Sequence, residues 1–164
     1  MLNKADEHLF KAALGNYPTG VAIVTTVDSE GHPVGLTINS FTSLSMDPLL
    51  VLWSIDHKSS SIHTFKETGK FVVHLLAEDQ NELVRIFSKK DLDRFSEINW
   101  SFSTNQLPII EGAFAVFECE TFQTIEAGDH TIFIGSVKNM QVKEKSPLLY
   151  HRRTVGSIPL GFHA

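Results

Sequence analysis

The sequence Val21-Ala-Ile-Val-Thr-Thr-Val27 is followed by Asp28-Ser-Glu-Gly-His-Pro33 and then by Val34-Gly-Leu-Thr-Ile-Asn-Ser-Phe41. The two outer segments are rich in β-branched and apolar residues, which favour strands. The middle segment contains the Asp, Ser, Gly and Pro residues that are typical of turns. This arrangement predicts a β-hairpin and makes an antiparallel sheet the starting point for the rest of the chain.

Further strand candidates follow this hairpin at short intervals. They cover residues 48–55, 71–77, 114–125, 131–142 and 148–150. The third and fourth of them flank Glu126-Ala-Gly-Asp129, whose glycine and aspartate predict a second hairpin turn.

Helical segments are few and short. The sequence predicts a helix from a cap at Asp6 to a stop at Gly15, a short helix over 59–66, and a third helix capped by Asp79. Residues 88–106 are polar and poorly periodic, which predicts a long surface excursion. So few helices cannot supply a crossover after each strand of a parallel sheet. We therefore predict a mainly β fold, an antiparallel barrel with a few short flanking helices, in a single domain over residues 1–164.

Composition and charge argue against several classes of protein. Of the 164 residues, 42% are hydrophobic and 20% are charged, which is the balance of a globular protein. The net charge of −5 gives no overall positive field, so neither nucleic acid nor a membrane is expected as a partner. No apolar stretch approaches the length that spans a bilayer, and the polar first residues lack the core of a secretory signal. A cytoplasmic location is therefore expected.

The single cysteine and one strand histidine are interpreted as structural. Cys119 cannot form an internal disulfide, and no Cys/His cluster indicates a metal site. It lies in an alternating apolar run, which favours packing over reactivity. His74 is interpreted as an outward-facing or hydrogen-bonded residue. The strand–GxGxxG–helix signature is missing, so nicotinamide chemistry here requires a different binding mode.

Polar residues accompany the first hairpin and the strand after it. Pro18-Thr-Gly20 and Thr37-Ile-Asn-Ser-Phe41 can hydrogen-bond a planar heterocycle, or they can simply complete a turn and a strand end. The segment Ser54-Ile-Asp-His-Lys-Ser-Ser-Ser-Ile-His63 follows a strand and opens a helix. Its backbone N–H groups, Lys58 and serine hydroxyls can hold a phosphate. Alternatively, Ser59 caps the helix and Lys58 is solvated.

Two later groups of residues also admit two interpretations. The next group is Phe87-Ser-Lys-Lys90 with Asp93-Arg-Phe95. Phe87 can pack on a ring system of a ligand while Lys89, Lys90 and Arg94 reach an anion. It can equally complete the core face of its helix beside a solvated loop. In Gly128-Asp-His130, at the tip of the second hairpin, the turn accounts for the glycine and the aspartate. It does not account for His130, because a turn does not require an imidazole.

In this order and spacing, these stretches closely resemble the flavin reductase family, the small reductase components of two-component flavin-dependent monooxygenases. The matching segments are Phe10–Thr26, Pro33–Ser45, Asp47–Val51, Gly128–Val137 and Pro147–His151. The resemblance extends from about residue 6 to about residue 153, and its Thr-x-Asn-Ser-Phe and Gly-Asp-His motifs are specific in combination. It implies a split β-barrel that binds FMN or FAD, usually as a homodimer.

The resemblance also implies site residues by position. The residues that would border the flavin ring and ribityl chain are Pro18, Thr19, Thr37, Asn39 and Ser40. The residues that would line the phosphate end are Ser54, Asp56, Lys58, Ser59 and Ser60, with Phe87 and Lys89 approaching from the next helix. The residues associated with the nicotinamide nucleotide are Gly128, Asp129 and His130, of which His130 is the catalytic candidate. Tyr150, His151 and Arg152 would close the same side.

The function implied by the resemblance is reduction of flavin by NADH or NADPH. Hydride passes directly from the nicotinamide ring to flavin N5, so no enzymic nucleophile is required. The protein would stack the two rings and release reduced flavin to a monooxygenase partner. Two alternatives stay open: a flavoprotein that retains its flavin and reduces another acceptor, and a non-enzymatic flavin-binding or electron-transfer protein.

The sequence leaves further choices open within that function. It does not decide between FMN and FAD. The side chains that could pair with the extra phosphate of NADPH, or be surface charges, are Lys89, Lys90, Arg94, Arg152 and Arg153. Ile38 stands where many relatives carry a small residue, and its side chain can face either the flavin or the core. No interpretation is made of the residues after Arg153.

Overall fold

The computed structural model describes residues 3–89 and 93–162, so Lys90 lies outside the described residues. The helices are α1 (Lys4–Asn16), α2 (Ile62–Thr68) and α3 (Asn81–Ser88), with short 3₁₀ turns at Glu78–Gln80, Arg94–Glu97 and Leu160–Phe162. The strands are β1 (Thr19–Gly20), β2 (Ala22–Val27), β3 (Pro33–Ile38), β4 (Thr42–Met46), β5 (Leu49–Asp56), β6 (Lys70–Leu75), β7 (Trp100–Phe102), β8 (Pro108–Ile110), β9 (Ala115–Ala127), β10 (His130–Val142), β11 (Leu149–His151) and β12 (Thr154–Gly156). None of these helices is long and apolar enough to cross a membrane.

A seven-stranded antiparallel sheet forms the body of the molecule. Its strand order is β3-β2-β6-β9-β10-β5-β4, and two small sheets, β1-β11-β12 and β7-β8, flank it. Both sequence-predicted hairpins are present: β2 pairs with β3 from Val27 opposite Pro33, and β9 pairs with β10 from Ala127 opposite His130. The prediction of a mainly β, antiparallel fold with a few short helices is confirmed.

Aromatic side chains from several strands fill the main core. Trp53 of β5 stacks on Phe133 of β10 with ring centroids 4.8 Å apart, and Phe65 of α2 and Phe71 of β6 meet Trp53 edge-on. All four rings are fully buried. Gly135 makes this packing possible, because a Cβ there would lie 2.4 Å from the Phe71 ring. Burial of these side chains is the dominant stabilising contribution.

Local polar partners move the helix boundaries away from the predicted positions. Asn3, rather than Asp6, caps α1: the Asn3 side chain accepts from two backbone N–H groups, and the Asp6 carboxylate accepts from the Asn3 N–H. Asp79 lies in a 3₁₀ turn and pairs with Lys145 at 2.8 Å instead of capping α3. The helix expected from Ser59 begins three residues later, because residues 56–60 form a turn of their own.

Two segments differ more substantially from the sequence prediction. The strand predicted over 34–41 ends at Ile38, and the chain then forms the separate edge strand β4, which pairs with β5. The stretch 88–106 is not a simple surface excursion, because Phe95 is buried and packs edge-on against Phe87 and Trp100. Apolar residues within this polar stretch therefore contribute to a second core cluster under α3.

Candidate active site

The tip of the second hairpin lies directly over the segment that follows β5. In the β5–β10 ladder, His130 is opposite Asp56 and Ile132 is opposite Ser54. The His57 backbone N–H donates to the Asp129 carbonyl at 2.9 Å, which continues the ladder beyond the strand end. Two of the sequence groups, 54–60 and 128–130, are thus brought together although about seventy residues separate them in the chain.

Residues 56–60 form a tight turn with outward-facing donors. The Asp56 Oδ1 atom accepts from the Lys58 N–H at 2.8 Å, and the Asp56 carbonyl accepts from the Ser59 N–H at 2.9 Å. Lys58 and Ser60 are exposed, so their side chains are available to an anion. Asp56 therefore shapes the turn through its own hydrogen bonds, while an ammonium group and hydroxyls are presented to solvent.

Ser40 joins this turn region to the first hairpin. Its Oγ accepts from the Ser54 N–H at 3.0 Å and donates to the Ser54 carbonyl at 3.2 Å. These two hydrogen bonds hold the end of the Thr-x-Asn-Ser-Phe motif against β5. The polar residues of that motif and of the turn consequently form one continuous strip.

Two threonine hydroxyls near this strip are buried without a hydrogen-bond partner among the described residues. They are Thr19 Oγ1 and Thr37 Oγ1. Thr37 and Asn39 line a cavity of about 250 Å³ together with Tyr150, and Tyr150 lies opposite Thr19 in the β1–β11 pairing. Buried hydroxyls normally bond to protein, water or ligand. The Thr37 hydroxyl is therefore placed to bind a polar, planar ligand in this cavity, whose residues fit part of a flavin ring, while Thr19 lines a neighbouring cavity.

A larger apolar cavity lies on the other side of β1. It has a volume of about 770 Å³, and its walls include Pro18, Thr19, His151 and the segment 154–159. The residues after Arg153, which carried no prediction, thus contribute β12 and a cavity wall next to Pro18 and Thr19.

Within the Gly128–His130 tip, a hydrogen bond to Asp129 orients the His130 imidazole. Gly128 has φ 65°, the left-handed conformation that suits glycine. His130 Nδ1 lies 2.7 Å from Asp129 Oδ1, and this hydrogen bond holds the pKa of the Asp129 carboxyl below its ordinary value. Because the carboxylate only accepts, Nδ1 carries a proton and Nε2 is directed away from Asp129. Half-exposed His130 can therefore contact a ligand through Nε2.

Comparisons with known proteins identify the family of this fold. The flavin reductase-like domain model matches residues 14–159. This chain belongs to the flavin reductase-like family.

A flavin reductase of Pseudomonas putida is 43% identical over 152 residues, which cover 92% of this chain and 89% of that protein. The reductase component of the flavin-dependent trigonelline monooxygenase of Acinetobacter baylyi is 42% identical over 92% of this chain, which spans only 48% of that protein. Among solved structures, the NADH:FAD oxidoreductase of Streptomyces globisporus with NAD and FAD fragments has a TM-score of 0.90, with 29% identity and 99% of each chain covered. The nitrilotriacetate monooxygenase component B homologue of Mycobacterium thermoresistibile has a TM-score of 0.91, with 33% identity over 98% of this chain and 90% of that one. The split-barrel fold expected from the sequence is thereby confirmed.

Three residues expected at the site of this flavin reductase-like chain make contacts with other parts of the protein. Phe87 is 3% exposed and packs on Phe95, so its ring belongs to the core, which was the second interpretation of that segment. Lys89 is exposed, but its carbonyl accepts from the Arg94 guanidinium. Arg152 donates through its backbone N–H to the Gly15 carbonyl, so it links the β11–β12 turn to α1.

Three further side chains of the flavin reductase-like chain are structural. Ile38 is buried in the main core and also lies at the wall of the 250 Å³ cavity beside Thr37 and Asn39. Cys119 is 2% exposed, and burial raises the pKa of its thiol to about 12, so it is not a reactive thiolate. His74 is fully buried and hydrogen-bonded on both ring nitrogens, which confirms the hydrogen-bonded alternative.

Two further residues, not singled out by the sequence, join the turn to the hairpin: His57 lies in the 56–60 turn and Glu126 lies on β9 near the tip. Their side chains meet at 2.9 Å. The hairpin register alone predicts that Glu126 lies opposite Thr131, but no local signal reveals that β5 pairs with β10 and brings His57 to them.

Proposed function

We propose that this chain is an NAD(P)H:flavin oxidoreductase that transfers hydride to FMN or FAD and supplies reduced flavin to a separate monooxygenase. The observation that carries the proposal is the meeting of the Gly128–His130 tip with the 54–60 turn, which Ser40 hydrogen-bonds to the Thr-x-Asn-Ser-Phe motif through Ser54. The names of the relatives, which include flavin reductases and monooxygenase reductase components, support the same function.

The strip of polar residues offers a position for each end of a flavin. At one end, Lys58 and the hydroxyls of Ser59 and Ser60 would hold the phosphate, since an ammonium group and O–H donors suit a phosphate dianion. At the other end, Thr37, with Thr19, Asn39 and Tyr150 around it, would contact the ring. Ser40 and Ser54 bond to each other between these ends, so their role is to fix the spacing.

A bound flavin supplies the hydride acceptor and a nicotinamide nucleotide supplies the hydride, so the protein contributes binding and orientation. His130 would orient the nicotinamide nucleotide through Nε2, while Asp129 holds Nδ1 protonated. None of the steps assigned to the chain requires a covalent intermediate with a side chain. Site geometry, rather than a nucleophile, should therefore limit the rate.

The assembly and location belong to the same proposal. A homodimer is supported by α1, which buries none of its residues and exposes Leu9, Phe10 and Leu14. A cytoplasmic location is supported by the free Cys119, and a single domain is supported by the one continuous sheet that carries the site.

Replacement of His130 by alanine tests the proposed chemistry. We expect the His130→Ala variant to lose about 10- to 100-fold in kcat/KM for the nicotinamide nucleotide, because the reacting rings are no longer aligned. The equilibrium Kd for FMN, measured by quenching of flavin fluorescence, should stay unchanged. His63→Ala, an exposed histidine on α2, is the matched control. Unchanged oxidation in His130→Ala would remove His130 from the site.

A further inference from the structure

The His57 side chain connects the 56–60 turn to both strands of the second hairpin. Its Nε2 atom lies 2.9 Å from Glu126 Oε2 on β9 and 3.1 Å from Thr131 Oγ1 on β10. These contacts supplement the backbone bond from His57 to Asp129. The turn and the hairpin are thus joined just behind the tip, on the side where the nicotinamide nucleotide is expected.

The hydrogen-bond partners of Glu126 determine which atoms of this cluster carry protons. The Thr131 hydroxyl donates to both Glu126 oxygens at 3.1 Å. Glu126 Oε1 also accepts from Lys66 Nζ at 2.9 Å, and this bond, followed by the Thr131 bond, holds the pKa of Glu126 below its ordinary value. An ionised carboxylate only accepts hydrogen bonds. His57 therefore carries a proton on Nε2, and this N–H group donates a hydrogen bond to Glu126. The cluster therefore consists of charge-assisted hydrogen bonds.

The β9 side of this hairpin end and the tip itself are exposed, so polar contacts orient them. Asp129 is 82% exposed and the His130 side chain is 42% exposed. Residues 122–129 are all exposed, whereas Thr131 and Phe133 on β10 are buried and β10 pairs with β5 as far as His130 opposite Asp56. The backbone bond from His57 to Asp129 and the hydrogen bonds of Glu126 with His57 and Lys66 continue this anchoring beyond the ladder.

We propose that His57 and Glu126 are positioning residues that hold the Gly128–His130 tip in register with the 56–60 turn. The consequence concerns nicotinamide nucleotide binding, because that ligand must meet His130 and the flavin at the same time. The inference rests on the proposed function for its kinetic consequence. Its structural consequence, the ordering of the tip, can be measured without any reaction.

Glu126→Gln and His57→Ala test the inference. We expect KM for NADH to rise about three- to tenfold in both variants, because one charge-assisted hydrogen bond is weakened or lost. The Kd for FMN in the absence of NADH should change less than twofold. His57→Gln, which keeps an N–H donor, should restore most of the wild-type KM. A purely structural role would reduce the active fraction and hence Vmax, and would leave KM unchanged.

Asp79→Asn is the matched control. Asp79 pairs with Lys145 at 2.8 Å, and the Lys145 and Asp79 side chains are 34% and 61% exposed, close to the 38% and 60% of His57 and Glu126. Loss of this ion pair removes a comparable surface interaction elsewhere, so KM for NADH should stay at the wild-type value. An equal rise in the control would overturn the inference.

Amide hydrogen exchange supplies the readout that does not depend on activity. We expect the amides of His57 and of residues 127–131 to exchange about tenfold faster in Glu126→Gln and His57→Ala, and not in the control. Unchanged exchange at the tip would overturn the inference even if the wild-type protein oxidises NADH. Faster exchange with no wild-type oxidation would uphold the positioning role and reject the proposed function instead.

Discussion

At the scale of single residues, His74 illustrates how burial fixes a protonation state. Its Nδ1 bonds to the Ile23 carbonyl at 3.1 Å, and its Nε2 accepts from the Ile110 N–H at 3.1 Å. Both bonds are made by the neutral imidazole. Burial lowers its pKa from 6.5 to about 4, because the charged form would lose its hydration.

This shift makes the stability of the protein depend on pH. The pKa is lower in the folded state, so the unfolded state binds more protons between pH 6.5 and 4. The contribution is complete above about pH 6.5 and is lost as pH falls, amounting to about 2–3 kcal/mol between pH 7.5 and pH 4.5. Urea unfolding at the two pH values measures it. His74→Gln should flatten the dependence, and an equally steep slope in that variant would contradict the account.

Thr37 provides a second prediction at this scale. Because Thr37 Oγ1 has no protein partner among the described residues, Thr37→Val removes no internal hydrogen bond and should leave the free energy of unfolding unchanged. If the hydroxyl binds flavin, the Kd for FMN should rise about fivefold.

Two other threonines serve as controls for Thr37→Val. The Thr121 hydroxyl is also buried and has no hydrogen-bond partner within residues 3–89 and 93–162, so Thr121→Val should change neither quantity. Thr25 donates to the Pro108 carbonyl at 2.6 Å, so Thr25→Val should lower stability by about 1–2 kcal/mol and leave flavin affinity intact. A Kd for FMN unchanged in Thr37→Val would place the ring elsewhere.

At the scale of elements, the close contact between β10 and β6 is the most sensitive point of the sheet. A Cβ at Gly135 would lie 2.4 Å from Phe71 Cζ and 3.0 Å from Cys119 Cβ. We expect Gly135→Ala to lower the free energy of unfolding by about 2–3 kcal/mol, since the core must shift to admit the methyl group. Gly156→Ala, which meets no atom within 4 Å, is the control for urea unfolding. Equal stability of the two variants would refute this packing.

Elements with a repeating apolar pattern were predictable from the sequence, and those with unusual partners were not. The alternation in β9 and β10 and the β-branched run in β2 identified both hairpins. The exposed, serine-rich β4 has no such pattern, because an edge strand with few buried side chains leaves little trace in sequence. Phe87 was placed at the site by resemblance, but its packing with Phe95 turns its ring toward the core.

The candidate site shows the same division. Its local groups, such as Gly128-Asp-His130 and the Lys58 turn, were recognisable because their chemistry lies in adjacent residues. The sequence did not reveal that these groups lie close together, because their proximity depends on the pairing of β5 with β10 across the sheet. The His57–Glu126 contact was invisible for the same reason, since its two members are ordinary surface residues in their own segments.

At the scale of the whole molecule, the unburied helix α1 predicts how subunits associate. Phe10 and Leu14 are 64% and 56% exposed, and no residue of α1 is buried. We expect a dimer at micromolar concentration by light scattering, and a monomer for the Phe10→Asp, Leu14→Asp double variant, because charge would have to be buried. Phe102→Asp, at an exposed residue of β7, is the control. A wild-type monomer, or a dimer unaffected by the α1 changes, would contradict this assembly.

The proposed activity requires that the molecule reduce a flavin that it exchanges with solvent. Steady-state oxidation of NADH and NADPH by the purified protein, with and without added FMN or FAD, measures this activity. We expect rapid oxidation that requires free flavin and saturates with its concentration, which also identifies the preferred flavin and nucleotide. Oxidation supported only by co-purified flavin and another acceptor would contradict flavin exchange. No oxidation with any pair of cofactors would contradict the oxidoreductase itself.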